Sequence, residues 1–360
     1  MPRRPLHALA AATAAVLVLG AAAQTASADP GRHDRTLRSL AERPDLRIGT
    51  AVDTSALAAD APYRALTAGE FDSVTAENVM KWEVVEPTRG TYDWSQADRL
   101  MAFAKKHKQE VRGHTLLWHS QLPAWLTSGV ADGSIDPAEL RAILRAHITA
   151  EVTHFKGRIY QWDVVNEIFD EDGGYRDSLW LRELGPSYVA DAFRWAHAAD
   201  PGATLFFNDY NVEGINAKST AYYELARQLL AEGVPVQGLG IQGHLDIQYG
   251  FPGDVRANLE RFAALGLETA FTEVDIRMTL PAEGPSLVRQ ADDYRRLLAA
   301  CLAVRSCTSF TVWGFTDKYS WVPGVFDGQG AANILDENFA AKPAYAALAD
   351  ELRKAARTKR

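Results

Sequence analysis

The chain has 360 residues, of which 47% are hydrophobic, 23% charged and 10% aromatic. That composition excludes collagen, coiled coil and intrinsic disorder. A formal net charge of −8 argues against a polyanion such as nucleic acid as partner, and two cysteines, Cys301 and Cys307, are too few for a disulfide scaffold or a Cys-rich metal site. The length suits two or three small domains or one α/β barrel, and nine tryptophans call for a use.

In chain order, Arg3 and Arg4 precede an apolar run from Ala8 to Ala23, interrupted only by Thr13 and Gly20, and Ala26-Ser27-Ala28 follows. A basic start, an apolar middle and an A-x-A end describe a secretory signal peptide over residues 1–28, removed after Ala28. The run is shorter than the roughly 20 residues of a membrane span, so no membrane association is expected after cleavage. The product is expected to be secreted to the extracellular space. Outside the cell a cysteine pair oxidises. Five residues separate Cys301 from Cys307, a distance a short loop can bridge. The alternative is two buried thiols.

From residue 29 the sequence alternates β-rich runs with amphipathic, Ala/Leu/Arg-rich stretches. The predicted strands are Arg47–Asp53, Phe71–Asn78, Val111–Trp118, Tyr160–Glu167, Thr204–Asn211, Leu239–Leu245, Thr269–Arg277 and Ser309–Asp317. The predicted helices between them include Gln96–His107, Pro137–Phe155, Leu179–Ala199, Ala217–Glu232, Asp254–Leu265 and Ser286–Ala303. Eight strand–helix units predict a parallel sheet closed into a (β/α)8 TIM barrel, one catalytic domain over residues 29–353. A doubly wound sheet is the alternative, but no glycine-rich phosphate loop follows the first strand. No linker divides the chain, and residues 354–360 form a short basic tail, read as a frayed helix end.

Active residues of such a barrel sit at the C-terminal strand ends. Those ends carry Glu77, Asn78 and Lys81; His114, Trp118, His119 and Gln121; Asn166 and Glu167; Asn208, Asp209 and Tyr210; Gln242 and His244; Glu273 and Asp275; and Trp313, Asp317 and Trp321. A lone glutamate there is usually a cap or an ion pair. Two, among amides, histidines and tryptophans, are harder to explain as architecture. A divalent-metal site would need three or four converging ligands, but the histidines are spread over two strands, so no metal or other cofactor is expected. Glycoside hydrolysis needs two carboxyl groups, and aromatic faces suit the flat faces of sugars. Glu167 and Glu273 are the natural pair. The apolar run before Glu167 favours a protonated carboxyl, ready for a leaving oxygen, whereas hydrogen bonding from His244 keeps Glu273 ionised.

The motifs Glu77-Asn78-Val79-Met80-Lys81-Trp82, Gly113-His114-Thr115-Leu116-Leu117-Trp118-His119-Ser120-Gln121, Trp162-Asp163-Val164-Val165-Asn166-Glu167, Gly240-Ile241-Gln242-Gly243-His244, Thr272-Glu273-Val274-Asp275 and Trp313-Gly314-Phe315-Thr316-Asp317 occur in this order. Together they resemble the family-ten glycoside hydrolases, endo-β-1,4-xylanases, over roughly residues 35–350. The resemblance implies a retaining mechanism, with Glu167 as acid/base and Glu273 as nucleophile. It implies that Glu77, Asn78, Lys81, His114, Gln121, Asn166 and Gln242 bind sugar hydroxyls on the glycone side. His244 would bond Glu273, with Asp275 behind it. Trp118, Trp313 and Trp321 would form apolar walls, and Tyr210 would serve the aglycone side. Trp94 stands where the family often has Phe, and Val274 where it often has Leu. The expected partners are xylan and xylooligosaccharides, bound by a monomer. The competing readings are a β-1,4-glucanase or mixed xylanase/cellulase on the same barrel, a catalytically dead sugar-binding barrel and a metal-dependent isomerase.

Overall fold

The computed structural model describes residues 36–358, so the expected export signal and its cleavage point lie outside the described residues. The sheet contains β1 (Arg47–Val52), β2 (Ser73–Ala76), β3 (Glu110–Gly113), β4 (Gln161–Asn166), β5 (Thr204–Asp209), β6 (Gly238–Ile241), β7 (His244–Asp246), β8 (Glu268–Thr279), β9 (Cys307–Val312) and β10 (Gln329–Gly330). Eight of them, β1 to β6 with β8 and β9, pair in parallel. The ring closes where β9 pairs with β1, Val312 opposite Thr50 and Ser309 opposite Arg47. This is the expected (β/α)8 barrel.

Helix ends follow local chemistry. Pro137–His154 starts on a proline, with the Asp136 side chain accepting from Glu139 N–H at 2.8 Å. Ala217–Ala231 starts with a reciprocal box between Asn216 and Ser219. The stretch read as one helix, Leu179–Ala199, is two, Leu179–Leu184 and Tyr188–Ala199. Gly185, in a positive-φ conformation, and Pro186 break it. The last helix, Pro343–Thr358, takes in the first residues of the basic tail. Among the described residues no helix is long and apolar enough to cross a membrane.

The barrel interior makes room for large groups with small ones. A Cβ on Gly113 would lie 2.2 Å from the buried Trp162 ring, and one on Gly240 would lie 2.4 Å from Asn208 Oδ1. The second vacancy admits a charged layer under the strand ends. Arg112, fully buried, pairs with Asp163 and donates to Asn208 Oδ1 at 3.2 Å. Cys301 and Cys307 form a disulfide with a Cα–Cα distance of 5.2 Å, tying the end of the helix Gly284–Ala303 to the start of β9.

Candidate active site

The C-terminal strand ends open into a cleft of about 520 Å³. It is lined by Glu77, Asn78, Lys81, His114, Trp118, Gln121, Asn166, Glu167, Tyr210, Gln242, His244, Glu273, Trp313 and Trp321. Every residue expected to touch substrate therefore reaches one cavity, although these residues span some 240 positions of sequence. Asp275, expected behind His244, lies there, with His244 Nδ1 2.9 Å from Asp275 Oδ1.

Glu273 is held by the layer beneath it. Asn208 Nδ2 donates to Glu273 Oε1 at 2.6 Å and to Asn166 Oδ1 at 2.8 Å. Asn208 Oδ1 in turn accepts from Arg112 and, at 2.7 Å, from Thr272. The amide can present only its N–H face to Glu273, because its oxygen is already committed. His244 Nε2 lies 3.2 Å from Glu273 Oε2, and His114 Nδ1 lies 3.8 Å from Oε1. Burial pushes the Glu273 carboxyl up, but His114, the bond to His244, the His244 charge and Arg112 outweigh it and hold the group down at about 2. Burial also opposes the charge on His244. The flanking Asp275 and Glu273 carboxylates overcome it and raise the imidazole to about 10, so His244 is a cation at neutral pH.

Glu167 is built differently. It follows the last residue of β4 and has φ +57°, left-handed backbone that is uncommon for a residue with a side chain. Its N–H donates to Asn208 O at 2.9 Å. Its carboxylate accepts from Trp118 Nε1 at 2.8 Å and Gln242 Nε2 at 3.1 Å, and His119 Nδ1 lies 3.9 Å away. The expectation of an apolar setting is corrected here. Val164 and Val165 are buried, but the 12%-exposed Glu167 side chain turns out of that core to N–H donors in the cleft. Trp118, expected as an apolar wall, is also one of those donors.

The remaining polar groups form a rim. Lys81 Nζ donates to Asn78 Oδ1 at 3.0 Å and lies 5.1 Å from the Trp118 ring centroid. Burial lowers its pKa. Burial, reinforced by the Asp53 charge, raises Glu77 to about 7. Trp313 packs edge-on against His114, ring centroids 5.2 Å apart. Trp321 Nε1 donates to Asp275 Oδ2 at 2.6 Å, which fixes the indole against the His244 pair.

Asn211, Arg277 and Phe326 also line the cleft and were not expected there. Nor was the supporting role of Asn208, Arg112 and Asp163. The available signal was charge inside a barrel strand: Arg112 and Asp163 sit in short β runs where a purely apolar interior would be expected. Phe326 caps the short helix Val322–Val325 and carried no signal. His114, Asp163 and Glu273 offer ligand atoms within 4.8 Å of one another. Asp163, however, already serves Arg112 and His114, and a cation there would have to displace a buried guanidinium.

A barrel whose mouth sets two carboxylates among tryptophan walls, amides and a histidine cation defines a glycoside hydrolase. More narrowly, the sequence model "Glycosyl hydrolase family 10" matches residues 36–351, and the chain belongs to that family. It is 46% identical over 317 residues to an endo-1,4-beta-xylanase of Agaricus bisporus, covering 87% of this chain and 93% of the relative. It is 43% identical over 321 residues to endo-1,4-beta-xylanase B of Thermotoga neapolitana, covering 88% and 92%. The fold matches xylanase 10B from Thermotoga petrophila in complex with xylobiose at a TM-score of 0.86 and 42% identity, covering 89% of this chain and 98% of that one.

Proposed function

We propose that the protein is an exported endo-1,4-β-xylanase that hydrolyses internal β-1,4-xylosidic bonds of xylan with retention of configuration. The observation that carries this reading is the contrast between the two carboxyl groups. Glu273 is clamped as a carboxylate by Asn208, His244 and His114, as a nucleophile requires. Glu167 stands across the barrel mouth at the end of β4, with β5 and β6 between it and β8, reached by Trp118 and Gln242, where it can give a proton to the leaving oxygen. Gln242 and Asn208 both bond Asn166 Oδ1, so a single amide cluster spans the two acids. That compactness fits the spacing of about 5–5.5 Å used by retaining enzymes better than the roughly 6.5–9.5 Å that leaves room for water in inverting ones.

In this reading a Glu273 oxygen attacks the anomeric carbon while Glu167 protonates the departing sugar oxygen. The C1–O bond breaks and a glycosyl ester forms. Glu167, now ionised, takes a proton from water, and the resulting hydroxide attacks C1 and frees Glu273. The His244 cation between Glu273 and Asp275 keeps the free nucleophile ionised before attack and stabilises the carboxylate again as the ester is released. Glu77, Asn78, Lys81, His114, Gln121, Asn166 and Gln242 bind sugar hydroxyls on the glycone side, Trp313 and Trp321 form its walls, and Tyr210 serves the aglycone side. The relatives named as xylanases and the xylobiose complex of the Thermotoga petrophila enzyme support the substrate class. The basic–apolar–A-x-A start of the sequence supports export.

Reducing-sugar release from xylan and from carboxymethylcellulose, followed by proton NMR of the first products, tests the proposal. Release from xylan with the β-anomer appearing first is expected. Preference for carboxymethylcellulose would make the protein a glucanase, and an initial α-anomer would remove the retaining assignment.

A further inference from the structure

Arg176 lies nine residues beyond Glu167 and is absent from the cleft lining. A tight return brings it back: Phe169 bridges Tyr175 antiparallel, Asp170 N–H donates to Gly174 O at 2.8 Å, and Arg176 N–H donates to Ile168 O at 2.9 Å. The guanidinium then fans out under the strand end. Its Nε donates to the Glu167 carbonyl at 2.9 Å, and one terminal nitrogen donates to Tyr210 Oη at 2.9 Å and to Phe169 O at 3.3 Å. The other lies 3.3 Å from Asp170 Oδ1. The side chain is 19% exposed.

The peptide groups around Glu167 are otherwise fixed on one side only. The Glu167 N–H is held by β5, and the Ile168 N–H by Tyr222 Oη at 3.1 Å. The Glu167 carbonyl is held by Arg176. With φ at +57°, relaxation of Glu167 toward right-handed backbone would swing its Cα–Cβ bond away from Trp118 and Gln242. The carbonyl clamp opposes that relaxation, and the same side chain ties Glu167 to Tyr210 on the aglycone side.

We propose that Arg176 is a positioning residue for the acid/base step, locking the left-handed backbone of Glu167 so that its carboxyl meets the leaving oxygen. This rests on the reading of Glu167 as the acid/base. Planarity matters as much as charge, because one fork serves the carbonyl and the tyrosine hydroxyl at fixed angles, which a lysine ammonium cannot do.

The test compares Arg176→Met and Arg176→Lys with the unaltered enzyme on two substrates, phenyl β-xylobioside and 2,4-dinitrophenyl β-xylobioside. Phenolate is a poor leaving group that needs the proton, and dinitrophenolate is not. Both values of kcat/KM report the bond-breaking step and are taken on one preparation. A fraction of misfolded protein therefore cancels in their ratio. In Arg176→Met the ratio of dinitrophenyl to phenyl activity should rise by roughly tenfold, a small part of the 10²–10⁴ that a general acid contributes. Arg176→Lys, which restores charge without the fork, should recover less than half of the loss. A ratio that stays within about threefold of the unaltered enzyme in Arg176→Met would overturn the inference, as would full recovery in Arg176→Lys. Glu167→Gln separates the two levels of argument. If its ratio rises by about a hundredfold or more while that of Arg176→Met does not move, only the positioning role fails. If the ratio in Glu167→Gln does not move, the acid/base reading fails.

Discussion

Replacing His244 by asparagine should move the acid limb of catalysis into the measurable range. His244 is the cation shared by Glu273, at 3.2 Å, and Asp275, at 2.9 Å. The descent of Glu273 from 4.5 to about 2 corresponds to roughly 3 kcal/mol in favour of the carboxylate. The rise of His244 from 6.5 to about 10 corresponds to roughly 5 kcal/mol. Glu273 draws on His114 and Arg112 as well as His244, and His244 on Asp275 as well as Glu273, so neither figure belongs to their mutual contact alone. We take the smaller as the scale for the nucleophile. Without the cation, His114, Arg112 and Asn208 remain, while burial and the nearby Asp275 charge push Glu273 upward. Its pKa should return to the ordinary carboxyl range of about 4 or above. The assay is kcat/KM against pH for 2,4-dinitrophenyl β-xylobioside, whose leaving group makes the acid/base irrelevant to the limb. The unaltered enzyme should show no loss from Glu273 down to about pH 3, and His244→Asn should lose activity with a midpoint near pH 4–5. A His244→Asn profile that superimposes on the unaltered one would refute the pairing as a source of the carboxylate's acidity beside His114 and Arg112.

Three further outcomes follow from the same geometry. Glu273, depressed to about 2, contributes stability that is present above about 4.5 and lost as pH falls toward 2; His244, raised to about 10, contributes stability that is present below about 6.5 and lost as pH rises through 10. Glu77 and Asp209, both raised by burial to about 7, lose their contribution as pH rises from about 4 to 7. Tm measured by calorimetry across pH should therefore peak at about pH 4 and decline toward neutrality, and a maximum above about pH 7 would contradict the assignments. In the proposed reading Trp321 is the wall that faces the place where xylose lacks the CH2OH of glucose, and Trp321→Ala removes it. The preference for aryl xylobiosides over cellobiosides should fall about tenfold, ~1.4 kcal/mol in transition-state binding, whereas parallel losses on both would reduce Trp321 to loop packing. Alkylation of the unfolded, unreduced chain should modify neither Cys301 nor Cys307. Reduction should cost about 2 kcal/mol and leave the enzyme folded; collapse of activity on reduction would show the bond to be essential.

The barrel was legible because parallel strands buried on both faces read as short apolar runs between amphipathic helices, and because chemistry collects at one end of them. Strand lengths were less so. The run Phe71–Asn78 pairs only over Ser73–Ala76, and Val111–Trp118 stops at Gly113, beyond which the buried Leu117 keeps only an isolated bridge to Val165. Leu239–Leu245 is two strands, separated at Gly243 with φ +78°. The cleft residues were found from strand ends, but the layer under them was not. Asn208 was visible as a strand-end amide without a task, because its task is to join Arg112, Thr272, Asn166 and Glu273 across three other strands. Arg176 lay in a loop, and only the return at Phe169–Tyr175 places it under Glu167. The nine tryptophans divide by the same rule: Trp118, Trp313 and Trp321 reach the cleft, Trp82, Trp162 and Trp180 are core, and Trp94, Trp125 and Trp195 pack partly buried against that core.

The central claim is that Glu273 attacks the sugar. Incubation with 2,4-dinitrophenyl 2-deoxy-2-fluoro-β-xylobioside, followed by proteolysis and mass spectrometry, tests it most directly. Fluorine at C2 slows both formation and hydrolysis of the ester, and the good leaving group speeds only its formation, so the ester accumulates. The account predicts one fluoroxylobiosyl group per chain, on the peptide containing Phe271-Thr272-Glu273-Val274-Asp275, with fragmentation placing it on Glu273. Inactivation without a covalent adduct, or an adduct on Glu167 or any other residue, would contradict it.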